Sequence, residues 1–183
     1  MVLHPAVRDR LDDIDRIVIE TQEPGVRIID KTGPLDNPAD RDHCLQYMVA
    51  VPLIFGRLTA ADYEDEVAAD ARIDLLRAKM QVRENPEFTR DYYAPERRFI
   101  GNAVQVFFKD GSATSRAQVD FPVGHRRRRA EGEPLMFAKF AAAVMAHYPA
   151  KQAARIVALF NDATRLPTLS VNEFMAELVC NGR

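Results

Sequence analysis

Asn37-Pro38-Ala39-Asp40-Arg41-Asp42-His43-Cys44-Leu45-Gln46-Tyr47-Met48, continued by Val49-Ala50-Val51-Pro52-Leu53-Ile54-Phe55-Gly56, is the stretch on which the reading of this chain turns. Asn37 can accept a bond from an early orphan amide, Pro38 suits a first helical position, Asp40 favours the positive helix end and Gly56 can close the far end. The pattern predicts a helix between these two markers. From Cys44 onward it is apolar nearly all round, which predicts burial, while His43, Gln46 and Tyr47 at i, i+3 and i+4 are expected to share one face. Polar side chains on a buried helix need partners. Either they bond neighbouring backbone, or they line a pocket whose ligand completes them. Pro52 removes the amide that would bond the Met48 carbonyl, so a kink is expected one turn past Tyr47.

Working outward, 183 residues suffice for one domain, or one domain with an appended element. The balance of 25 basic against 27 acidic side chains, net charge -2, gives no overall pull toward nucleic acid or an anionic membrane. Cys44 and Cys180 lie far apart without metal-ligand spacing, which argues against zinc and a disulfide framework and for a reducing cytoplasm. Two cysteines alone cannot hold an iron-sulfur cluster. Met1-Val2-Leu3-His4-Pro5 lacks the apolar core of a signal peptide, and no apolar run approaches the roughly 20 residues that span a bilayer, so a soluble protein is expected. The abrupt Leu-His-Pro opening suggests a reading frame that begins in the middle of a larger architecture.

Upstream of the central helix, Pro5 to Leu11 reads as a short amphipathic helix and Arg16 to Thr21 as a strand with Ile17 and Ile19 on one side. Glu23-Pro24-Gly25 reads as a turn, and Val26 to Asp30 fits neither strand nor helix decisively. Lys31 to Asp36 is a loop in which Lys31 and Thr32 could hold an anion near the helix start; a plain surface loop is the alternative. Downstream, Thr59 caps a second helix, and Asp70 to Lys79 forms a third with Ile73, Leu75 and Leu76 inward. Met80 to Glu84 is a strand stopped at Asn85-Pro86, and Phe88 to Tyr93 a partly packed connection. A hairpin follows, with Val104, Val106 and Phe108 alternating before Asp110-Gly111, and Ser115, Ala117, Val119 and Phe121 after it.

His125 is followed by four consecutive arginines, Arg126 to Arg129, the only dense positive charge. They read as a solvated mobile loop, as anion capture through guanidinium forks, or as a nucleic-acid patch, the last disfavoured by the overall charge. From Pro134 onward the pattern is helical: Phe137, Phe140, Val144 and Tyr148 form one stripe, Ala153, Ile156, Val157 and Phe160 another. A capping box at Ser170-Val171-Asn172-Glu173 opens a last helix faced by Phe174, Met175, Leu178 and Val179. The expected fold class is α+β: a small antiparallel sheet packed with helices over residues 1–129, then a helical segment over 130–183.

Arg27-Ile28-Ile29-Asp30-Lys31-Thr32-Gly33-Pro34-Leu35, the central stretch from Asn37 to Ala50, Leu58-Thr59-Ala60-Ala61-Asp62-Tyr63-Glu64-Asp65 and Gly124-His125 together resemble the MmgE/PrpD family. The likeness is strongest to its 2-methylcitrate dehydratase members. It covers essentially the whole chain but only the C-terminal part of the family. It implies an α+β lid followed by helices that return to a large helical domain. It also implies cofactor-independent dehydration of 2-methylcitrate to 2-methyl-cis-aconitate, without an iron-sulfur cluster, in the methylcitrate cycle of propionate breakdown. The implied partners are a small tricarboxylate substrate, the helical domain of the same enzyme and, through terminal helices short of packing, a second copy in a homodimer; nucleic acid and membrane are not expected.

Within Gln46-Tyr47, Tyr47 matches a tyrosine that reaches the active site of related cis-aconitate decarboxylases, which implies substrate hydrogen bonding or proton delivery. His43 becomes a candidate helper, and Lys31, His125 and Arg126 become candidates for carboxylate binding. The family's catalytic histidines, aspartates and lysines belong mostly to the helical domain and to a segment before the position of Met1. The chain alone is therefore expected to be a lid without its catalytic floor. A noncatalytic binding or assembly module with the same fold, or another activity of the family such as cis-aconitate decarboxylation, stays open.

Overall fold

The alternation that marks Ile17 and Ile19 builds the centre of a sheet. In the computed structural model, which describes residues 2–180, helix α1 (His4–Val7) leads into strand β1 (Ile14–Thr21), whose Ile14, Ile17, Ile19 and Thr21 are fully or almost fully buried. The described residues fall into two compact units, one up to Pro122 and one from Val123.

In the first unit, β1 is followed by α2 (Glu23–Ile29), α3 (Pro38–Asp42), α4 (Leu45–Phe55), α5 (Asp65–Ala68) and α6 (Ala71–Arg77), and then by β2 (Met80–Glu84). Helix α7 (Pro86–Tyr93) and the strands β3 (Asn102–Phe108) and β4 (Ala117–Val119) complete it. The sheet order is β2-β1-β3-β4. β1 pairs antiparallel with β3 and β3 antiparallel with β4, giving the expected hairpin, with Gly111 at φ 85° in its turn. The β1–β2 pair, however, is parallel. The sheet of this α+β fold is mixed rather than antiparallel because the run between β1 and β2 is helical and carries the chain back to the same end of the sheet.

Three local readings change. Glu23 to Gly25 is the first turn of α2, with Pro24 in an early position that needs no amide donor. Asn85 and Pro86 end β2 and at the same time start α7, because the Asn85 side chain accepts from the amides of Glu87 and Phe88. Leu75 is 62% exposed, while Ile73 and Leu76 point inward from α6.

The central stretch is two helices rather than one. Asn37 caps α3, accepting from the Asp40 amide at 3.0 Å, but that helix ends after five residues. Cys44 is extended, at φ -121° and ψ 109°, and α4 starts anew behind it. Its thiol donates to the Lys31 carbonyl, which ties the break to the preceding loop. His43 therefore leaves the face it was expected to share with Gln46 and Tyr47: it lies in the break, exposed, with its ring against the Asp42 carboxylate. α4 carries Pro52 inside and ends on Gly56, at φ 69°, whose amide donates to the Pro52 carbonyl. Val51, Ala50, Leu53 and Ile54 bury it against α1, α6 and the sheet residues Ile17, Ile19 and Val106.

The second unit opens with a turn over Arg126–Arg128 and continues in α8 (Arg129–His147), α9 (Ala150–Asn161) and α10 (Val171–Leu178). The arginine run is thus a helix start rather than a loop; Arg128 pairs with Glu131 and Arg129 with Glu133. Val144, Ala153 and Ile156 form its core, with Phe140, Tyr148, Val157 and Leu178 packed on it. The Gln152 amide donates to the carbonyls of Glu177 and Val179, fixing the end of α10. Met175 and Val179, expected on the buried face of α10, are more than half exposed. No helix among the described residues is long and apolar enough to cross a membrane.

Since Ile17 is 0% exposed between two sheet neighbours, Ile17→Ala should destabilise the first unit by about 2–5 kcal/mol. A drop in the urea midpoint of its unfolding, followed by circular dichroism, checks this.

Candidate functional site

Two polar side chains at the start of α4 organise the surface above it. The Lys31 amide donates to Gln46 Oε1 at 3.3 Å, and Gln46 Nε2 donates to the Asp30 carboxylate, so a buried amide holds the beginning of the Lys31–Asp36 loop. Tyr47, 2% exposed, donates its hydroxyl proton to the Asp62 carbonyl at 2.6 Å and stacks on Tyr63 with ring centroids 5.9 Å apart. Asp62 is fixed in turn by a capping box: its carboxylate, 0% exposed, accepts from the Thr59 amide and hydroxyl at 2.7 and 2.8 Å. Arg57 pairs with the same group at 3.0 Å.

This turn also places a cation. Arg41, 6% exposed, donates from Nη1 to the Tyr63 carbonyl at 2.7 Å and pairs through Nη2 with Asp65 at 2.7 Å. On the other side Arg77, at the end of α6, donates from Nη2 to the Gly33 carbonyl at 2.8 Å and pairs through Nη1 with Asp74. The Nε of each arginine is buried without an acceptor; among the described residues these are the two buried side-chain nitrogens or oxygens left so.

Two neighbouring clefts result, and Asp74 and Arg77 line both. The first, about 370 Å³, is lined also by Lys31, Thr32, Gly33, Gln46 and Met80. The second, about 340 Å³, is lined also by Leu35, Asp36, Arg41, Tyr47 and Asp65. Neither lining contains a histidine. Burial pushes the Tyr47 phenol above its ordinary range, and the charges of Asp62 and Asp74 add to this against the opposing pull of Arg41. Asp62 is held below the usual carboxylate range: burial acts against its charge, but the two Thr59 bonds and Arg57 outweigh it.

Of the residues singled out from sequence, Lys31 and Tyr47 line these adjoining clefts, one in each. Lys31 Nζ is 3.7 Å from Asp40. His43 faces Asp42 and lines neither. His125 and Arg126 belong to the second unit, where they line a cleft of about 340 Å³ with Arg129, Gly132, Glu133 and Met136. The His125 ring caps the turn by accepting from the Arg127 amide at 3.2 Å. Arg41, Arg77 and Asp74 were missed. The signal for Arg41 was its place inside the central stretch; Arg77 ends an amphipathic helix and carries no such mark. Among the described residues, no group of three histidine, cysteine, aspartate or glutamate side chains is placed to hold a metal ion.

Fold and cleft together describe an α+β unit with a cation-bearing groove, followed by a helical unit. Residues 1–163 match the MmgE/PrpD C-terminal domain, and the chain belongs to the MmgE/PrpD family. It is similar to the 2-methylcitrate dehydratase of Salmonella typhimurium, 55% identical over 163 residues, which are 89% of this chain and 34% of that protein. It is 52% identical over 163 residues to the 2-methylcitrate dehydratase of Escherichia coli, again 89% of this chain and 34% of the relative. The mitochondrial 2-methylcitrate dehydratase of Yarrowia lipolytica is 51% identical over 164 residues, 88% of this chain and 32% of the relative. The chain thus spans about a third of the length of these relatives.

Tyr47→Phe deprives the Asp62 carbonyl of its donor and should cost about 1–3 kcal/mol of stability in urea unfolding. Because folding raises the phenol pKa, the contribution of Tyr47 is complete below the ordinary phenol range and is lost as the pH climbs through the raised, folded value. The difference between wild-type and Tyr47→Phe phenolate absorbance titrations should therefore show one group ionising above that ordinary range.

Proposed function

We propose that the chain is the C-terminal portion of a lyase of the 2-methylcitrate dehydratase type, acting on a small tricarboxylate and requiring no cofactor. The observation that carries this reading is identity above one half, over 163 residues, to proteins named for that activity. Elimination of water from a tricarboxylate needs a base for the carbon-bound proton, an acid near the departing oxygen and cations for the carboxylates. The first unit offers the last two kinds of group: Lys31 and Arg77 in one cleft, and the Tyr47 hydroxyl beside Arg41 in the next.

Tyr47, with a raised pKa, is a neutral hydrogen-bonding group near neutral pH rather than a base. With its proton on the Asp62 carbonyl it presents a lone pair, and it becomes a donor to substrate only by exchanging that partner. The carboxylates of Asp65 and Asp74 are ion-paired to arginines. The base is therefore proposed to come from the helical domain that the relatives' additional length would supply, with this chain closing over it as a lid. A homodimer through the helices of the second unit and a reducing, cytoplasmic location, in keeping with two unpaired cysteines, belong to the same proposal. His43, His125 and Arg126 are assigned no contact with the reacting atoms.

The test is turnover. The purified chain given 2-methylcitrate should form no enoic product measurable by ultraviolet absorbance, and addition of the separately expressed preceding portion of a relative should restore it. Turnover by the chain alone at the rate of a full-length dehydratase would contradict the reading. Failure to restore activity, with both parts folded and associated, would favour a noncatalytic module.

A further inference from the structure

We propose that Arg77, with Lys31 on one side and Arg41 on the other, forms a two-compartment carboxylate site that grips two carboxylates of one polycarboxylate ligand. The inference deepens the reading above by assigning subsites, and it rests on that reading only for the identity of the natural ligand.

The argument begins with the shared cation. Arg77 lines both clefts, so a ligand spanning them must pass its guanidinium, while Lys31 and Arg41 each belong to one cleft alone. Arg41 is more than nine-tenths buried and Arg77 nearly so, yet the Nε–H of each lacks an acceptor. With Nε itself closed off from solvent, a ligand carboxylate meets each guanidinium at the Nη edge that Asp65 or Asp74 now occupies, where the planar fork fixes its orientation as a lysine does not.

The present partners of these arginines are ones a ligand can displace. Asp65 and Asp74 are 85% and 73% exposed, so each can swing into water while its arginine stays in place. Lys31 is 3.7 Å from Asp40, a loose pair that leaves its ammonium able to turn toward the first cleft. Backbone bonds from Arg41 to the Tyr63 carbonyl and from Arg77 to the Gly33 carbonyl would hold the two forks while their carboxylate partners exchange. Asp36, in the second cleft, adds a negative charge that opposes a third carboxylate there and favours a hydroxyl or an uncharged arm beside Tyr47. The expected ligand class is therefore a short-chain dicarboxylate or tricarboxylate, with monocarboxylates binding far more weakly.

The experiment is nuclear magnetic resonance titration of the full chain with tricarballylate, 2-methylcitrate, succinate and acetate. Tricarballylate and 2-methylcitrate should shift the Nε–H resonances of Arg41 and Arg77 together with the amides of Lys31, Thr32 and Gly33, and acetate should not at equal concentration. Arg77→Lys, which keeps the charge, should weaken tricarballylate binding about tenfold or more, and Lys31→Gln should weaken it less. The wild-type shifts decide the matter even if the Arg77 variant misfolds. Shifts confined to the His125–Arg129 cleft, equal binding by Arg77→Lys in a folded protein, or no binding at millimolar ligand would overturn the proposal. Binding as described without reconstituted turnover would retain the site and remove the dehydratase reading. Turnover with unshifted arginine signals would do the reverse.

Discussion

The bond from the Tyr47 hydroxyl to the Asp62 carbonyl is the constraint on which the site depends. A buried phenol has to spend its proton somewhere, and this one donates to the backbone of a turn whose shape is set by Thr59 and Asp62. The same turn presents the Tyr63 carbonyl to Arg41. The capping box thus sets a turn that accepts from the buried hydroxyl at one carbonyl and from a buried guanidinium at the next. Gln46 does the equivalent for the loop that carries Lys31. The start of α4 converts the burial of an apolar rod into the placement of cations on the surface above it.

Much of this frame is legible in the sequence. Ile17 and Ile19 announced a strand by alternation, the hairpin at Asp110-Gly111 followed from turn chemistry, and Asn37, Thr59, Asp70 and Ser170 declared helix starts that capping explains. The resemblance seen in the central stretch holds at the level of the family. What stayed hidden was decided by tertiary context. Nothing in the residue types around Cys44 announces its extended backbone, and its thiol lies 3.5 Å from both the Lys31 carbonyl and Gln46 Oε1. With that break the shared face of His43, Gln46 and Tyr47 disappears, since three residues form a face only while one helix carries them. The parallel pairing of β2 was equally hidden, because period-two alternation is blind to strand direction.

The cationic lining was the least legible part. Lys31 was visible as a cation near a helix start, but Arg77 looked like one more charge on a solvated helix end. Its meaning arises from depth: a guanidinium brought beneath the Gly33 carbonyl differs from one in water although the sequence writes them alike. The dense arginine run drew attention by its charge and proved to be a capped helix start, with Arg128 and Arg129 paired along their own helix. Linear charge density and a polar site need not coincide.

The central proposal is that the cleft lined by Tyr47 at the start of α4, and not the arginine run, takes the reacting substrate. Its most direct test is kcat for 2-methylcitrate dehydration by the chain reassembled with the preceding portion of a relative, carrying either Tyr47→Phe or Arg127→Gln. A fall of about 100-fold or more for Tyr47→Phe, with kcat for Arg127→Gln within about twofold of wild type, is the predicted result. Unchanged kcat in a folded, reassembled Tyr47→Phe protein would contradict the account.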